Sequence, residues 1–245
     1  LSLYQPKLTI LYEDEHILLV DKRPGLVVHP DETERVNTLI THIQAYLYQK
    51  KEWSPYQEGA FAPALCNRID RNTGGIVIAA KTAEGLRVMN QKIRDRELKK
   101  YYLCIVHGTL PRPAGRLEGY ILKDEAKKQV TVSSRPRPGA KTAVTLYETL
   151  AVRNGLSLVR CQLITGRTHQ IRAQFAAAGH PLLGDGKYGS ERQNKRYGRS
   201  YQALYSYRLE FCFTTDAGAL APLDGQQFQV EQVDFVTEYF PGFSL

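Results

Sequence analysis

Three short stretches of the 245-residue chain place reactive side chains beside turn residues. In Arg68-Ile69-Asp70-Arg71-Asn72-Thr73-Gly74-Gly75 one carboxylate stands between two arginines and leads into the apolar run Ile76-Val77-Ile78-Ala79-Ala80. In Lys100-Tyr101-Tyr102 two phenols open a β-rich run that closes at His107-Gly108. In Thr165-Gly166-Arg167-Thr168-His169-Gln170-Ile171-Arg172 a polar turn enters a helix, on which Thr168 and His169 stand four and three residues before Arg172. A carboxylate can be a nucleophile or a base if it stays ionised, which an opposite charge within about 4–6 Å favours. A tyrosine hydroxyl is a general base only when its surroundings poise it. Structural roles compete at each place. Asp and Asn of a D-x-N-T-G-G turn can bond nearby backbone amides, and flanking arginines can be solvated surface.

The elements needed to position these groups are legible in the periodicity. The run after Gly75 reads as a fully buried strand, and the glycine pair supplies the positive φ of a tight entry. Upstream, Leu8 to Tyr12, Ile17 to Val20 and Leu26 to Val28 read as short strands, the last two parted by Pro24-Gly25. Leu39, Ile40, Ile43 and Leu47 recur at helical spacing after Asn37 or Thr38, either a suitable N-cap, and 48–63 reads as a loop. Thr82 is placed to cap a helix with Leu86, Met89 and Ile93 on one face. Two strands near 116–122 and 128–133 fall in a Pro- and Gly-punctuated exposed arm. Thr142–Arg153 and Leu156–Ile164 flank Asn154-Gly155, the preferred type I′ hairpin turn. A helix from about Thr168 stops at Gly179. Tyr205, Tyr207, Leu209, Phe211 and Phe213 alternate as a half-buried strand, and Phe228 and Val230 mark the last one. With no repeat and no clear linker, the reading is one α+β domain over 1–245, built on a large, mixed, mostly antiparallel sheet flanked by helices and loops.

Composition narrows the setting. Apolar residues at 42% and charged residues at 24% suit a globular fold, and no run approaches the ~20 apolar residues of a membrane helix. Cys66, Cys104, Cys161 and Cys212 lie too far apart for metal-ligand spacing. Their apolar or strand-like contexts predict buried, reduced thiols and a cytoplasmic protein. Lys and Arg outnumber Asp and Glu by 33 to 25, a net +8 that favours a polyanionic partner, nucleic acid above all. The basic segments 92–100, 123–141 and 192–199 are candidate RNA-backbone contacts, strongest at 192–201, where Tyr197 and Tyr201 interleave with Arg192, Lys195, Arg196 and Arg199.

Six stretches in order resemble the RluA family of RNA pseudouridine synthases. Cys66–Thr82 is similar to the signature H-R-L-D-x-x-T-S-G-L-L-L-L-A-K-T, and residues 11 to 30 resemble the family's opening segment. Lys100–Gly108 resembles K-x-Y-x-A-x-V-x-G, which aligns Tyr102, not Tyr101, with the active-site tyrosine. Ile164–Arg172 matches T-G-R-T-H-Q-I-R, Gly179–Gly189 matches G-H-P-x-x-G-D-x-x-Y-G, and Gln202–Phe211 resembles Q-A-L-H-A-Y-x-L-x-F. The chain departs from the pattern at Arg23, Asn67, Gly74 and Tyr205, where proline, histidine, serine and histidine are usual.

The resemblance implies a pseudouridine synthase fold and a cofactor-free, metal-free isomerisation of uridine to pseudouridine in rRNA or tRNA. Asp70 is then the essential carboxylate, as nucleophile or as base, with Arg172 its salt-bridge partner. Tyr102 stacks on the uracil, and Arg68 helps displace the target nucleotide, whose flipping costs a few kcal/mol. Arg71 and Arg167 join the RNA-binding candidates. His169, His29 and His180 are expected to be structural, His169 through hydrogen bonds at the helix start, and Asp185 to fix a turn. A monomer is expected, with no membrane partner, and an RNA-binding domain upstream is compatible with a first residue that is not methionine. Two rivals remain: a synthase-like RNA-binding or folding protein of weak turnover, and a glycoside hydrolase, which needs a second placed carboxylate these motifs lack.

Overall fold

A computed structural model describes residues 1–245, which fold as two compact units. The first comprises Leu1–Leu98 and Arg208–Val230, the second Lys99–Tyr207 and Glu231–Leu245. Five α-helices accompany eleven strands, and the strand pairs defined within each unit are antiparallel.

In the first unit, β1 (Ile10–Glu13) pairs with β2 (Ile17–Lys22) and β2 with β4 (Gly74–Ala80), while the two-residue β3 (Ala64–Leu65) lies on β4. Every residue of β4 is buried, as its continuous apolar run requires. Gly75 enters it at φ 126°, a conformation L side chains rarely adopt. Asn67 explains itself here: its Oδ1 accepts from the Ile78 amide at 2.7 Å, so the side chain satisfies a stretch of β4 backbone that β3 is too short to reach. Helix α1 (Leu39–Gln49), capped by Thr38, buries Leu39, Ile43 and Leu47 against Leu18, Val20, Val77 and Ala79. Leu26–Val28 contributes to the same cluster but forms a single bridge, Val27 to Thr38, rather than the expected strand.

Helix α2 (Ala83–Arg94) starts at Thr82, whose hydroxyl accepts from the Gly85 amide at 3.0 Å. Its buried stripe is Gly85, Val88, Met89 and Lys92, whereas the predicted Leu86 and Ile93 are half-buried. Lys92 is wholly buried because Glu97 at 3.2 Å and Thr215 at 2.7–2.8 Å take its ammonium hydrogens. It is therefore a structural cation, and the expected RNA contact over 92–100 does not include it.

The second unit orders β5 (Leu98–His107, from Lys99 on), β9 (Leu156–Leu163), β8 (Lys141–Arg153), β6 (Ala114–Asp124) and β7 (Gln129–Ser133) as an antiparallel array. Asn154 and Gly155 turn the β8–β9 hairpin at φ 52° and 75°, the positive pair a type I′ turn demands. Helix α3 (Gln170–Ala177) begins two residues after Thr168, at a left-handed His169, and lays Ile171 and Phe175 on Cys104, Val106, Val159 and Cys161. Cys104 and Cys161 are buried free thiols 3.8 Å apart, but Cys66 and Cys212 are only half-buried, against expectation.

Residues 190 to 201, legible only as polar and basic, contain helix α4 (Glu191–Tyr197). Ser190 caps it and Gly198, at φ 70°, ends it. Strand β10 (Leu204–Phe211) starts in the second unit and ends in the first, is buried throughout its first half, and stops before Phe213. The short strand β11 (Gln227–Gln229) and helix α5 (Asp234–Tyr239) complete the chain.

Gly184 shows how tightly the second unit is packed. It has φ 84°, and a methyl group there would stand 1.9 Å from the Tyr201 carbonyl oxygen. Gly184→Ala should cost at least about 2 kcal/mol, from left-handed strain plus a backbone clash. Urea unfolding of wild type and variant measures this directly; equal midpoints would refute the packing described.

Candidate active site

Asp70 stands in the first unit on the turn that feeds β4. Its carbonyl accepts from the Thr73 amide at 3.1 Å and Ile69 is buried beside it. The Arg71 carbonyl anchors the turn, accepting from the Gly25 amide at 2.7 Å and from Lys22 Nζ at 2.9 Å. Lys22 also donates to the Arg23 carbonyl at 2.9 Å and is 1% exposed, at the end of β2 opposite Gly75. Burial pushes its pKa down to about 7, and the Asp70 carboxylate pulls the other way by favouring the ammonium form. The carboxylate turn is thus held by a buried lysine that periodicity did not single out, because a lone lysine after an apolar run looks like a strand end.

Tyr102 and Arg172 belong to the second unit. Tyr102 lies on β5 opposite Cys161 of β9, half-buried at the margin of the cluster that contains Ile171. Tyr102 and the start of α3 therefore share one face of that sheet. Arg172 is 7% exposed, and its guanidinium grips Asp185 with two bonds, Nε to Oδ2 at 2.7 Å and Nη2 to Oδ1 at 3.1 Å. Asp185 Oδ1 also accepts from the Lys187 and Tyr188 amides at 2.9 and 3.0 Å, so it fixes its turn as expected and orients the arginine as well. Burial alone would raise the Asp185 pKa; the Arg172 bonds and charge, with the two amides, outweigh it and hold the carboxyl below its usual value. A paired, planar guanidinium packed 5.2 Å from the Tyr188 ring is a rigid positive charge.

The remaining candidates divide by exposure. Arg68 is exposed on the Asp70 turn, and its charge helps burial lower the pKa of His29. Arg71 is tethered to Asp31 at 3.3 Å and to the Thr33 hydroxyl. Arg167 donates through Nε to the Thr142 carbonyl at 2.7 Å. Arg192, Lys195 and Arg196 project from α4 into solvent, Lys195 beside Glu191 at 3.5 Å. Arg199 overturns its assignment as an RNA contact. It is 7% exposed, bonded to the Tyr201 carbonyl at 2.9 Å, 3.7 Å from Asp234 and stacked 4.2 Å from the Tyr201 ring, so it fastens α5 instead. His169 meets the Tyr188 hydroxyl at 2.7 Å and makes no side-chain cap, so its structural bond goes to a distant turn rather than to the helix start. His180 meets the His107 carbonyl at 2.8 Å. No group of His, Cys, Asp and Glu side chains is arranged to hold a metal ion.

Residues 16–177 match the sequence model of the RNA pseudouridylate synthase family. The chain belongs to that family. An uncharacterized RNA pseudouridine synthase of Mycoplasma genitalium is 36% identical over 220 residues, 86% of this chain and 65% of that protein. Ribosomal large subunit pseudouridine synthase D of Zymomonas mobilis is 33% identical over 232 residues, 94% of this chain and 69% of its own length. Among solved structures, human RNA pseudouridylate synthase domain containing 4 superposes with a TM-score of 0.71 at 22% identity, covering 93% of this chain and 89% of that one, which establishes the shared fold. This synthase-family chain spans about two thirds of the length of these curated relatives. No helix is long and apolar enough to cross a membrane.

The Lys22 anchor gives this family member a pH signature. Between about pH 7 and the ordinary lysine value of 10.5, the unfolded chain keeps a proton on Lys22 that the folded chain has released. The unfolded state binds more protons, so raising the pH through that window stabilises the fold through this group. The stability difference between wild type and Lys22→Met should therefore shift in favour of wild type as pH rises from about 7 to about 9. Urea midpoints that keep a constant separation across that range would contradict the assignment.

Proposed function

We propose that this chain isomerises specific uridines to pseudouridine in a structured ribosomal or transfer RNA. Family membership supports the reaction class. The observation that carries it to residues is the Asp70 turn, a carboxylate on a rigid support anchored by the buried Lys22 through the Arg71 carbonyl. Asp70 is the carboxylate that initiates glycosidic-bond cleavage, as nucleophile or as base. Arg172, oriented by Asp185, is the proposed salt-bridge partner of that carboxylate. Tyr102 stacks on the freed uracil and takes the proton that carbon 5 loses when it bonds to the ribose. Arg68 helps displace the nucleotide, whose flipping costs a few kcal/mol. The exposed cations Arg192, Lys195 and Arg196, with the free edges of Arg71 and Arg167, bind RNA phosphates. The whole of 1–245 is one catalytic domain that acts in the cytoplasm as a monomer without cofactor.

Asp70→Asn tests the reading. On unmodified ribosomal and transfer RNA under single-turnover conditions, the variant should form no pseudouridine, scored by a pseudouridine-specific chemical adduct, while RNA affinity stays within a few-fold of wild type. Near-normal turnover by the variant sinks the assignment; absent turnover by wild type on both RNA classes favours the binding-protein reading.

A further inference from the structure

The second unit contains a cavity of about 460 Å³ that the proposed chemistry does not use. It opens where β5 ends at His107-Gly108, the Asn154-Gly155 turn joins β8 to β9, and α4 presents Gln193, Arg196 and Tyr197. His107 lies five steps along β5 from Tyr102, and at ~3.3 Å per step this places the cavity about 16 Å from the proposed uracil-stacking tyrosine. It is a distinct site of the second unit.

Its walls are built rather than accidental. The Tyr197 hydroxyl donates to the Asn154 carbonyl at 2.7 Å, which fixes the phenol ring against the hairpin turn. The His107 ring lies 5.7 Å from that ring and is locked to Asn194 at 2.9 Å. Glycine in the hairpin turn leaves room for that ring: a methyl group at Gly155 would stand 3.0 Å from the Tyr197 hydroxyl. Against these fixed walls stand polar ends left available. The Gln193 and Asn154 side-chain amides have no hydrogen-bond partner in the protein, and the Arg196 guanidinium, exposed and 5.7 Å over the Tyr197 ring, has no carboxylate. No acidic residue lines the cavity.

An aromatic face, an unneutralised guanidinium and two amides, each both donor and acceptor, match the parts of a nucleotide: a base to stack, an edge to bond and a phosphate to hold. The volume is in the range of small-molecule and nucleotide sites. We propose that this cavity binds one unpaired nucleotide of the RNA substrate, outside the reaction centre, and so helps choose which RNA is modified. Tyr197 stacks on the base, Gln193 and Asn154 read its edge, and Arg196 holds its phosphate. The inference rests on RNA being the substrate.

The test uses the full chain and a short single-stranded oligoribonucleotide carrying 4-thiouridine. Photocrosslinking followed by peptide mass spectrometry should mark the segment containing Tyr197. Tyr197→Leu should weaken affinity roughly 5- to 150-fold, the equivalent of the ~1–3 kcal/mol a stacked base contributes. Arg196→Ala should reduce the slope of log affinity against log salt by about 0.7, the change expected when one phosphate of a single strand is no longer neutralised by the protein. Gln193→Ala and Arg196→Ala change exposed side chains, so they report even if Tyr197→Leu fails to fold. Crosslinks that avoid α4 and the 154–155 turn, with affinity and salt slope unchanged in the Arg196 and Gln193 variants, overturn the proposal. Pseudouridine formation on unmodified RNA, measured in parallel, separates the two readings. Turnover without cavity crosslinks leaves the synthase reading standing alone, whereas cavity crosslinks without turnover support the site and reject the reaction.

Discussion

The two-bond grip of Asp185 on Arg172 is the interaction on which the buried charge of the second unit depends. A buried guanidinium is costly unless its hydrogens and charge are met, and breaking such a pair typically costs about 3–5 kcal/mol. Here the carboxylate that meets it is itself held by two backbone amides, so the arginine has one orientation rather than many. Lys92 in the first unit is met in the same way, by the Glu97 carboxylate and by Thr215. Lys22 is met differently, by the Arg71 and Arg23 carbonyls, and burial lowers its pKa to about 7 while its bonds fix the turn that carries Asp70.

Sheet geometry explains why the residues assigned to the reaction can be precise. Asp70 precedes a strand buried along its whole length, and Tyr102 is on β5, whose neighbours in register include Cys161 of a hydrogen-bonded hairpin. Side chains on strand frames move less than side chains on free loops, which is what positioned chemistry needs. Gly75 and Asn67 serve the same frame, one by its positive φ and the other by supplying a side-chain carbonyl to the Ile78 amide. The departure from the family pattern at Asn67 therefore has a structural role of its own.

What could be read in the sequence followed from the range of the signals. The β8–β9 hairpin, the Thr38 and Thr82 caps and the β4 run are local patterns, and the structure reproduces them. The reaction class was legible through motif order, and the family match bears it out. Partners far apart in sequence were not legible. Arg172 with Asp185, Lys92 with Thr215 and Arg199 with Asp234 depend on tertiary packing that no spacing reveals. Arg199 looked like a surface cation because its neighbours are polar, yet Tyr201 and Phe235 enclose it. Helix α4 was hidden for a related reason: seven polar and basic residues show no apolar stripe, and only Ser190 and Gly198 at its ends announce it. Leu26–Val28 misled in the opposite direction, since its apolar side chains enter the core without strand partners for the backbone.

The proposed isomerisation replaces the hydrogen on uridine carbon 5 with the bond to ribose, using only side chains of this chain. Tritium release reads that step directly. Unmodified RNA carrying tritium at carbon 5 of uridine, incubated with excess protein dialysed against chelator, should lose label to water in one phase, in proportion to the pseudouridine formed. RNA that binds the protein yet keeps all of its tritium would rule out the proposed isomerisation.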